Sequence, residues 1–234
     1  MRKPEAPQTK PTARRYVESI GLALIVAIVM RSSFVQAYMV PSGSMEPTIL
    51  VGDHVLVNKV AYGLRIPDSI EGLLLPRPSS GRYLLHFAPI KRGDIIVFKS
   101  PLDSGVPLVK RVVGLPGDRI QVINGVVWRN GAPILDPHAY FVRPESARSP
   151  FSATDNFPRR NPHHPERDPG PVVVSPGKLF MMGDNRDASF DSRFWGFADE
   201  NDVEGRAVAI FFSWDHDGAG VLPVRWNRFG KVLD

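Results

Sequence analysis

Arg119-Ile120-Gln121-Val122-Ile123-Asn124-Gly125-Val126-Val127-Trp128-Arg129 is the stretch that decides the fold class of this chain. Two runs rich in β-branched and aromatic residues flank an Asn-Gly pair. That is the strongest short-range signal for a two-residue type I′ hairpin, because both turn positions need a positive φ. Asn130-Gly131 marks the next turn. Outward from this hairpin the pattern repeats. Short apolar runs alternate with turn signals, and no long stretch of 3.6 period follows residue 41. Candidate strands are residues 55–60, 94–99, 107–113, 119–123, 126–129, 172–174, 178–182 and 207–213. The 23 prolines and 20 glycines of the 234 residues also favour a turn-rich β body over a helical bundle.

Composition narrows the function classes. The chain is 43% hydrophobic and 23% charged, which is globular rather than disordered. It has no cysteine, so a disulfide framework, a thiol nucleophile and a thiolate metal site are all excluded. The net charge of +5 suits an acidic surface. Nucleic-acid binding would interleave Lys and Arg with aromatics along one element. Here the basic residues are scattered apart from an N-terminal cluster, which suits a basic surface beside a membrane.

That cluster, Arg2, Lys3, Lys10, Arg14 and Arg15 against Glu5, precedes the apolar run from Ile20 to Met30. A spanning helix needs about 20 mostly apolar residues. Residues 16–35 supply them if Glu18 and Arg31 snorkel to the two interfaces. The basic flank would then stay in the cytoplasm and everything after residue 40 would be exported. A cleaved signal peptide is the alternative, with Val35-Gln36-Ala37 as its cleavage triplet. Both readings export the rest. The expected organisation is a basic cytoplasmic N-terminus over 1–15, a membrane anchor over 16–36, and an exported β-rich domain over 37–234. Within it, residues 63–90 and 132–170 read as long irregular insertions, rich in proline.

Three runs could carry chemistry. Pro41-Ser42-Gly43-Ser44-Met45-Glu46-Pro47-Thr48 sets two serines in a Pro-Gly frame that can aim a hydroxyl and amide N–H groups at one point; by composition it is also an ordinary polar turn. Lys110 lies in a candidate strand, on one face with Leu108 and Val112, while Arg111 faces with Val109 and Val113. Apolar neighbours would bury the lysine and lower its pKa, and a neutral amine can take a proton from a serine. An edge lysine facing solvent fits the same pattern. The run from Gly183 to Arg193 is dense in Asp and Arg. It could hold itself by ion pairs, or hold a metal through Asp184, Asp187 and Asp191. Arg186 and Arg193 compete for those carboxylates, and the spacing is not that of an EF-hand, so no metal or other cofactor is expected. Ser175 to Lys178 is an isolated S-x-x-K, His163, His164, Glu166 and Asp168 lack metal-site spacing, and His54 sits at an ordinary strand start.

In their order along the chain, these runs resemble the bacterial type I signal peptidase family. The Ser-Gly-Ser-Met-x-Pro-Thr box follows an apolar segment. Gly52-Asp53 opens a strand, and Arg92-Gly93-Asp94-Ile95-Ile96-Val97-Phe98 comes next. Then come the run from Lys110 to Asp118, Gly183-Asp184-Asn185-Arg186-Asp187, and the run from Asp191 to Gly196. The resemblance spans roughly residues 15–130 and 171–214. It implies a membrane-bound serine endopeptidase with a single N-terminal transmembrane helix and an antiparallel, barrel-like β domain. Such an enzyme cuts signal peptides from exported preproteins after small residues, at sites of Ala-x-Ala type. By position, Ser44 matches the nucleophile and Lys110 the general base. Ser189 matches the serine that orients the lysine amine. Ser42 matches the hydroxyl that completes the oxyanion hole with the Ser44 N–H. Asp191 and Arg193 match a supporting ion pair. Val40, Pro41, Met45, Ile49, Leu108 and Val109 fall where the family lines its substrate pockets. The implied partners are preproteins and the phospholipid membrane, with no nucleic acid. The implied location is the cytoplasmic membrane, single-pass, with the catalytic domain on the outer side. A self-cleaving repressor would need an N-terminal DNA-binding helical domain, which residues 1–40 cannot supply. A β domain that only binds a partner would make Ser44→Ala silent.

Overall fold

A computed structural model describes residues 16, 19–21, 34–65, 83–102, 106–144, 155–158, 170–215 and 223–234. The hairpin read from the sequence forms as expected. Strands β7 (Arg119–Ile123) and β8 (Val126–Arg129) pair antiparallel, with Ile123 opposite Val126. Asn124 and Gly125 both have positive φ, 50° and 81°, as a type I′ turn requires. Asn130 and Gly131 repeat the device, at 55° and 85°, and turn the chain into β9 (Ala132–Pro133).

The protein is mostly β and antiparallel. One eight-stranded sheet carries, in order, β1 (Val35–Met39), β2 (Asp53–Asn58), β13 (Val203–Ser213), β5 (Ile95–Lys99), β6 (Pro107–Gly114), β11 (Lys178–Met182) and β12 (Ala198–Asp199), with β14 (Lys231–Val232) paired to β13. A four-stranded sheet runs β10 (Val172–Val173), β7, β8, β9, and a small pair joins β3 (Gly63–Arg65) to β4 (Tyr83–His86). Strand β2 alternates buried and half-buried residues, as a strand with one covered face should. Strand β6 is different. From Lys110 to Gly114 every residue is buried, because core clusters lie on both of its faces. Val112 joins one cluster with Phe98, Leu179 and Met181, and Val113 joins another with Ile120, Phe180 and Met182.

Several elements differ from the sequence reading. Val35 and Gln36, read as the end of the apolar anchor, stand in β1 and pair with Asn58 and Val57 of β2. An apolar run alone does not separate a buried helix from a strand, and here the sheet edge claims it. Strand β13 starts at Val203, four residues earlier than expected, because register shifts at three points break the alternation that would have revealed it. The insertions are not wholly irregular. β3 and β4 lie within 63–90, and β9 lies within 132–170. Phe157 bridges to Val122, and Tyr140 to Asn185, so two parts of the second insertion are sewn to the body. Most of the proposed membrane span lies outside the described residues, and among those described no helix is long and apolar enough to cross a membrane.

Candidate active site

The segment around Ser44 is a closed loop. The Val40 N–H donates to the Asp53 carbonyl (2.9 Å), and the Gly52 N–H donates to the Val40 carbonyl (3.0 Å), so the loop's ends are tied at the mouth of β2. Inside it Gly43–Met45 forms one 3₁₀ turn, preceded by extended Ser42. Met45 and Ile49 anchor the turn from below. Both are wholly buried, in a core cluster with Val40, Val55, Val57, Ile95 and Val97. Ser44 sits at the centre of the turn and is only 7% exposed.

Lys110 approaches from β6. Its Nζ donates to the Ser44 Oγ at 2.7 Å and to the Val109 carbonyl at 3.1 Å. The side chain is buried, and burial is the main reason its pKa falls from 10.5 to about 8. Asp191 and Asp184 pull that value upward and Arg193 pushes it down, but desolvation outweighs them. The amine is therefore neutral in a useful fraction near neutral pH, and a neutral amine beside a hydroxyl can accept its proton. The Ser42 Oγ stands 3.5 Å from the Ser44 Oγ, at the edge of hydrogen-bond range.

The Gly183–Arg193 run forms the opposite wall. The Asn185 N–H donates to the Ser44 carbonyl (3.1 Å), and the Asn185 Nδ2 donates to the Gly43 carbonyl (3.2 Å). Gly183 is where the two loops touch. A Cβ on it would lie 2.3 Å from both the Ser44 carbonyl oxygen and the Ser189 Oγ, closer than packed atoms allow. Gly183→Ala is expected to push the Ser44 turn aside and cut kcat by about 100-fold, the scale of a 1 Å misplacement. Steady-state cleavage kinetics on folded protein check this, and a wild-type kcat would show that the loops separate without harm.

The sequence-predicted residues are brought together unevenly. Ser42, Ser44 and Lys110 form one cluster. Ser189 lies against Gly183 and its buried Oγ makes no bond to the Lys110 amine; it stands by the Asp191 carboxylate, which it helps to keep ionised. Asp191 and Arg193 do pair. The Arg193 Nε and Nη2 each donate at 2.8 Å, both side chains have no exposure, and the Gly183 N–H adds a bond to the Asp191 Oδ2 at 3.1 Å. The Arg193 guanidinium holds the Asp191 carboxyl below its usual value even though burial pushes it up. Among the expected pocket residues, Val40, Met45 and Ile49 belong to the buried core, while Pro41 is exposed and Leu108 and Val109 are half-buried. Only the last three present appreciable surface.

Each aspartate of the alternative metal loop is held by an arginine. Asp184 pairs with Arg111, Asp187 with Arg143, and Asp191 with Arg193, while Arg186 turns away to Asp136. His54 is half-buried between Phe211 and Phe212, and Lys178 pairs with Asp199. His163, His164, Glu166 and Asp168 lie outside the described residues.

Sequence reading missed the brace beneath the loop. Arg111 donates twice to Asp184, at 2.8 Å each, and both residues are buried. The Thr48 Oγ1 also donates to Asp184, at 2.6 Å. The strand alternation contained a signal. If Lys110 is buried on one apolar face, Arg111 is buried on the other, and a buried guanidinium requires a carboxylate.

Comparison with known proteins identifies the family. A family model described as signal peptidase, peptidase S26, matches residues 13–214. Signal peptidase I of Pseudomonas fluorescens is 32% identical over 241 residues, covering 95% of this chain and 80% of that one. Signal peptidase I of Pseudomonas aeruginosa is 30% identical with the same coverage. A solved signal peptidase I from Enterococcus faecalis aligns with 51% of this chain and 97% of its own, at 25% identity and a TM-score of 0.38. On the sequence matches, this chain belongs to the type I signal peptidase family and is a serine endopeptidase.

Proposed function

We propose that the protein cuts signal peptides from exported preproteins after the last residue of an Ala-x-Ala site, with Ser44 as nucleophile and Lys110 as general base. The observation that carries this reading is the 2.7 Å contact between the Lys110 Nζ and the Ser44 Oγ in a buried setting that lowers the lysine pKa to about 8. In the first step the Ser44 Oγ attacks the scissile carbonyl while Lys110 takes its proton. The Ser42 hydroxyl and the Ser44 N–H stabilise the oxyanion; losing one such donor typically costs 10²–10³ in rate. Lys110 then protonates the departing amine, leaving an acyl-enzyme. Water then attacks the ester carbonyl and gives its proton to Lys110; the bond from the Ser44 Oγ to the acyl carbon breaks, Lys110 returns the proton to the Ser44 Oγ, and the signal peptide leaves with the new carboxyl group. Ser189, whose buried Oγ stands by Asp191, orients the amine as the reaction proceeds, and the Asp191–Arg193 pair fixes the wall on which Ser189 stands.

Half-buried Leu108 and Val109 and exposed Pro41 form the contact surface for small substrate side chains, backed by Val40, Met45 and Ile49. Such pockets select by excluding bulk, since each methylene is worth only about 1–3 kcal/mol of binding. The domain works against the membrane, on the outer side, tethered by the apolar run from Ile20 to Met30. Phe211, Trp214, Trp226 and Phe229 are exposed at the end of β13 and the following 3₁₀ turn, and indole rings of this kind settle at the headgroup level. Confinement to that layer raises the effective concentration of the preprotein.

The test is cleavage by the detergent-solubilised chain of a preprotein carrying an Ala-x-Ala site. N-terminal sequencing should place the new end just after the second Ala, and a Leu at that position should abolish the cut. The amine is active when neutral, so kcat/KM should rise with pH and reach half its plateau near pH 8. A rate that falls through that range would exclude Lys110 as the base.

A further inference from the structure

The matched family region ends at residue 214, yet residues 223–234 return beneath the Ser44 loop. They touch its surroundings in four ways. The Arg228 Nε donates to both carboxylate oxygens of Asp53, at 2.9 and 3.1 Å, and its Nη2 donates to the Thr48 carbonyl at 3.0 Å. The Arg225 Nη1 donates to the Val51 carbonyl at 2.8 Å. The main-chain oxygen of Asp234 accepts from the Arg111 Nη1 at 2.8 Å. Leu233 is buried in the same cluster as Met45 and Ile49.

Thr48 is the meeting point of two buried braces. Its hydroxyl donates to Asp184, which Arg111 holds, and its carbonyl accepts from Arg228, which Asp53 holds. The next residue ties directly to the nucleophile turn, because the Ile49 N–H donates to the Met45 carbonyl at 2.9 Å. Asp53 closes the loop at its other end, where its carbonyl receives the Val40 N–H and its carboxylate receives the Leu50 N–H at 2.8 Å. We infer that Arg228 is a positioning residue for Ser44: its guanidinium fixes Thr48 and Asp53 together, and so holds the Ser44 hydroxyl within hydrogen-bond reach of Lys110. The planar fork suits this task. It satisfies a carboxylate and a carbonyl at once, which a lysine's single ammonium cannot do in the same geometry. The inference rests on Ser44 being the nucleophile.

The test uses the full chain in detergent, with Ser44→Ala, Arg228→Gln, Arg228→Lys and the double variant Asp53→Asn/Arg228→Gln compared for melting temperature, kcat and KM. The double variant leaves no unpaired buried charge, so it folds even if Arg228→Gln alone does not. Arg228→Gln should lower kcat by about 10- to 100-fold with KM within about twofold, as expected when a reacting group is displaced rather than a pocket lost. The double variant and Arg228→Lys should regain melting temperature without regaining wild-type kcat. If either has both a near-wild-type melting temperature and wild-type kcat, Arg228 is structural only and the inference is overturned. Cleavage by Ser44→Ala would overturn the nucleophile reading itself, and would be seen separately from any Arg228 result.

Discussion

Ser44→Ala is expected to reduce kcat/KM for preprotein cleavage by about 10⁶, and Lys110→Met by a similar factor. Nucleophile and base act as one unit. In a comparable serine protease, removing either costs about 2 × 10⁶ in kcat, and removing more members costs little extra. The double variant here should therefore be no worse than either single one. Methionine keeps the apolar stem of Lys110 in its buried slot and removes only the amine, so the fold should survive. Circular dichroism and melting temperature check that point before rates are read. If Lys110→Met cuts within tenfold of wild type, the 2.7 Å contact is a packing feature and the base lies elsewhere. The geometry argues against that outcome. A buried amine at hydrogen-bond distance from a buried hydroxyl has lost its hydration, and its pKa has come down to about 8 for that reason.

Asp191→Ala should destabilise the protein by about 3–5 kcal/mol, because it strands the Arg193 guanidinium in a place with no exposure. At about 2–4 °C per kcal/mol for a chain of this size, the melting temperature should fall by roughly 10 °C. Asp199→Ala is the control. Its partner Lys178 keeps 40% of its side-chain surface exposed, and partly exposed pairs of that kind contribute about 1 kcal/mol or less. The pH dependence has a definite sign. Arg193 lowers the folded-state pKa of Asp191, so the pair's contribution is fully present above the unfolded value near ~3.9 and is lost as pH falls through the folded value. The acid side of the stability curve should flatten in Asp191→Ala. Activity should fall as well, because Arg193 also donates to the Ser189 carbonyl at 3.4 Å and Asp191 receives the Gly183 N–H, beside the Ser44 carbonyl. A melting temperature within 2 °C of wild type would show that water enters to solvate Arg193.

The two effects differ in kind. In the proposed mechanism Ser44 and Lys110 carry the chemistry and little of the fold. The buried ion pairs add little net stability but set where loops far apart in sequence must meet, since each charge is tolerable only beside its partner. The run from Ser42 to Pro47, the strand around Lys110 and the Gly183–Arg193 loop lie on separate elements. Arg111, Asp184, Asp53 and Arg228 are the groups that lock them into one site.

The β class, both Asn-Gly turns and most of the strands were legible in the residues, because these depend on local signals: turn positions that need positive φ and period-two burial; the grouping of residues around Ser44 came from the family resemblance. The alternation left Lys110 open between burial beside Leu108 and Val112 and an edge position in solvent; the tertiary packing buries it. Long-range pairing alone puts Val35 and Gln36 at a sheet edge, bends β13 through three register shifts, and buries Met45 and Ile49 in the core. It alone paired Arg111 with Asp184, and Arg228 with Asp53 across 175 residues. A charge announces in sequence that it needs a partner when buried, but which partner it finds depends on which loops the sheet order brings together, and that is a property of the whole chain.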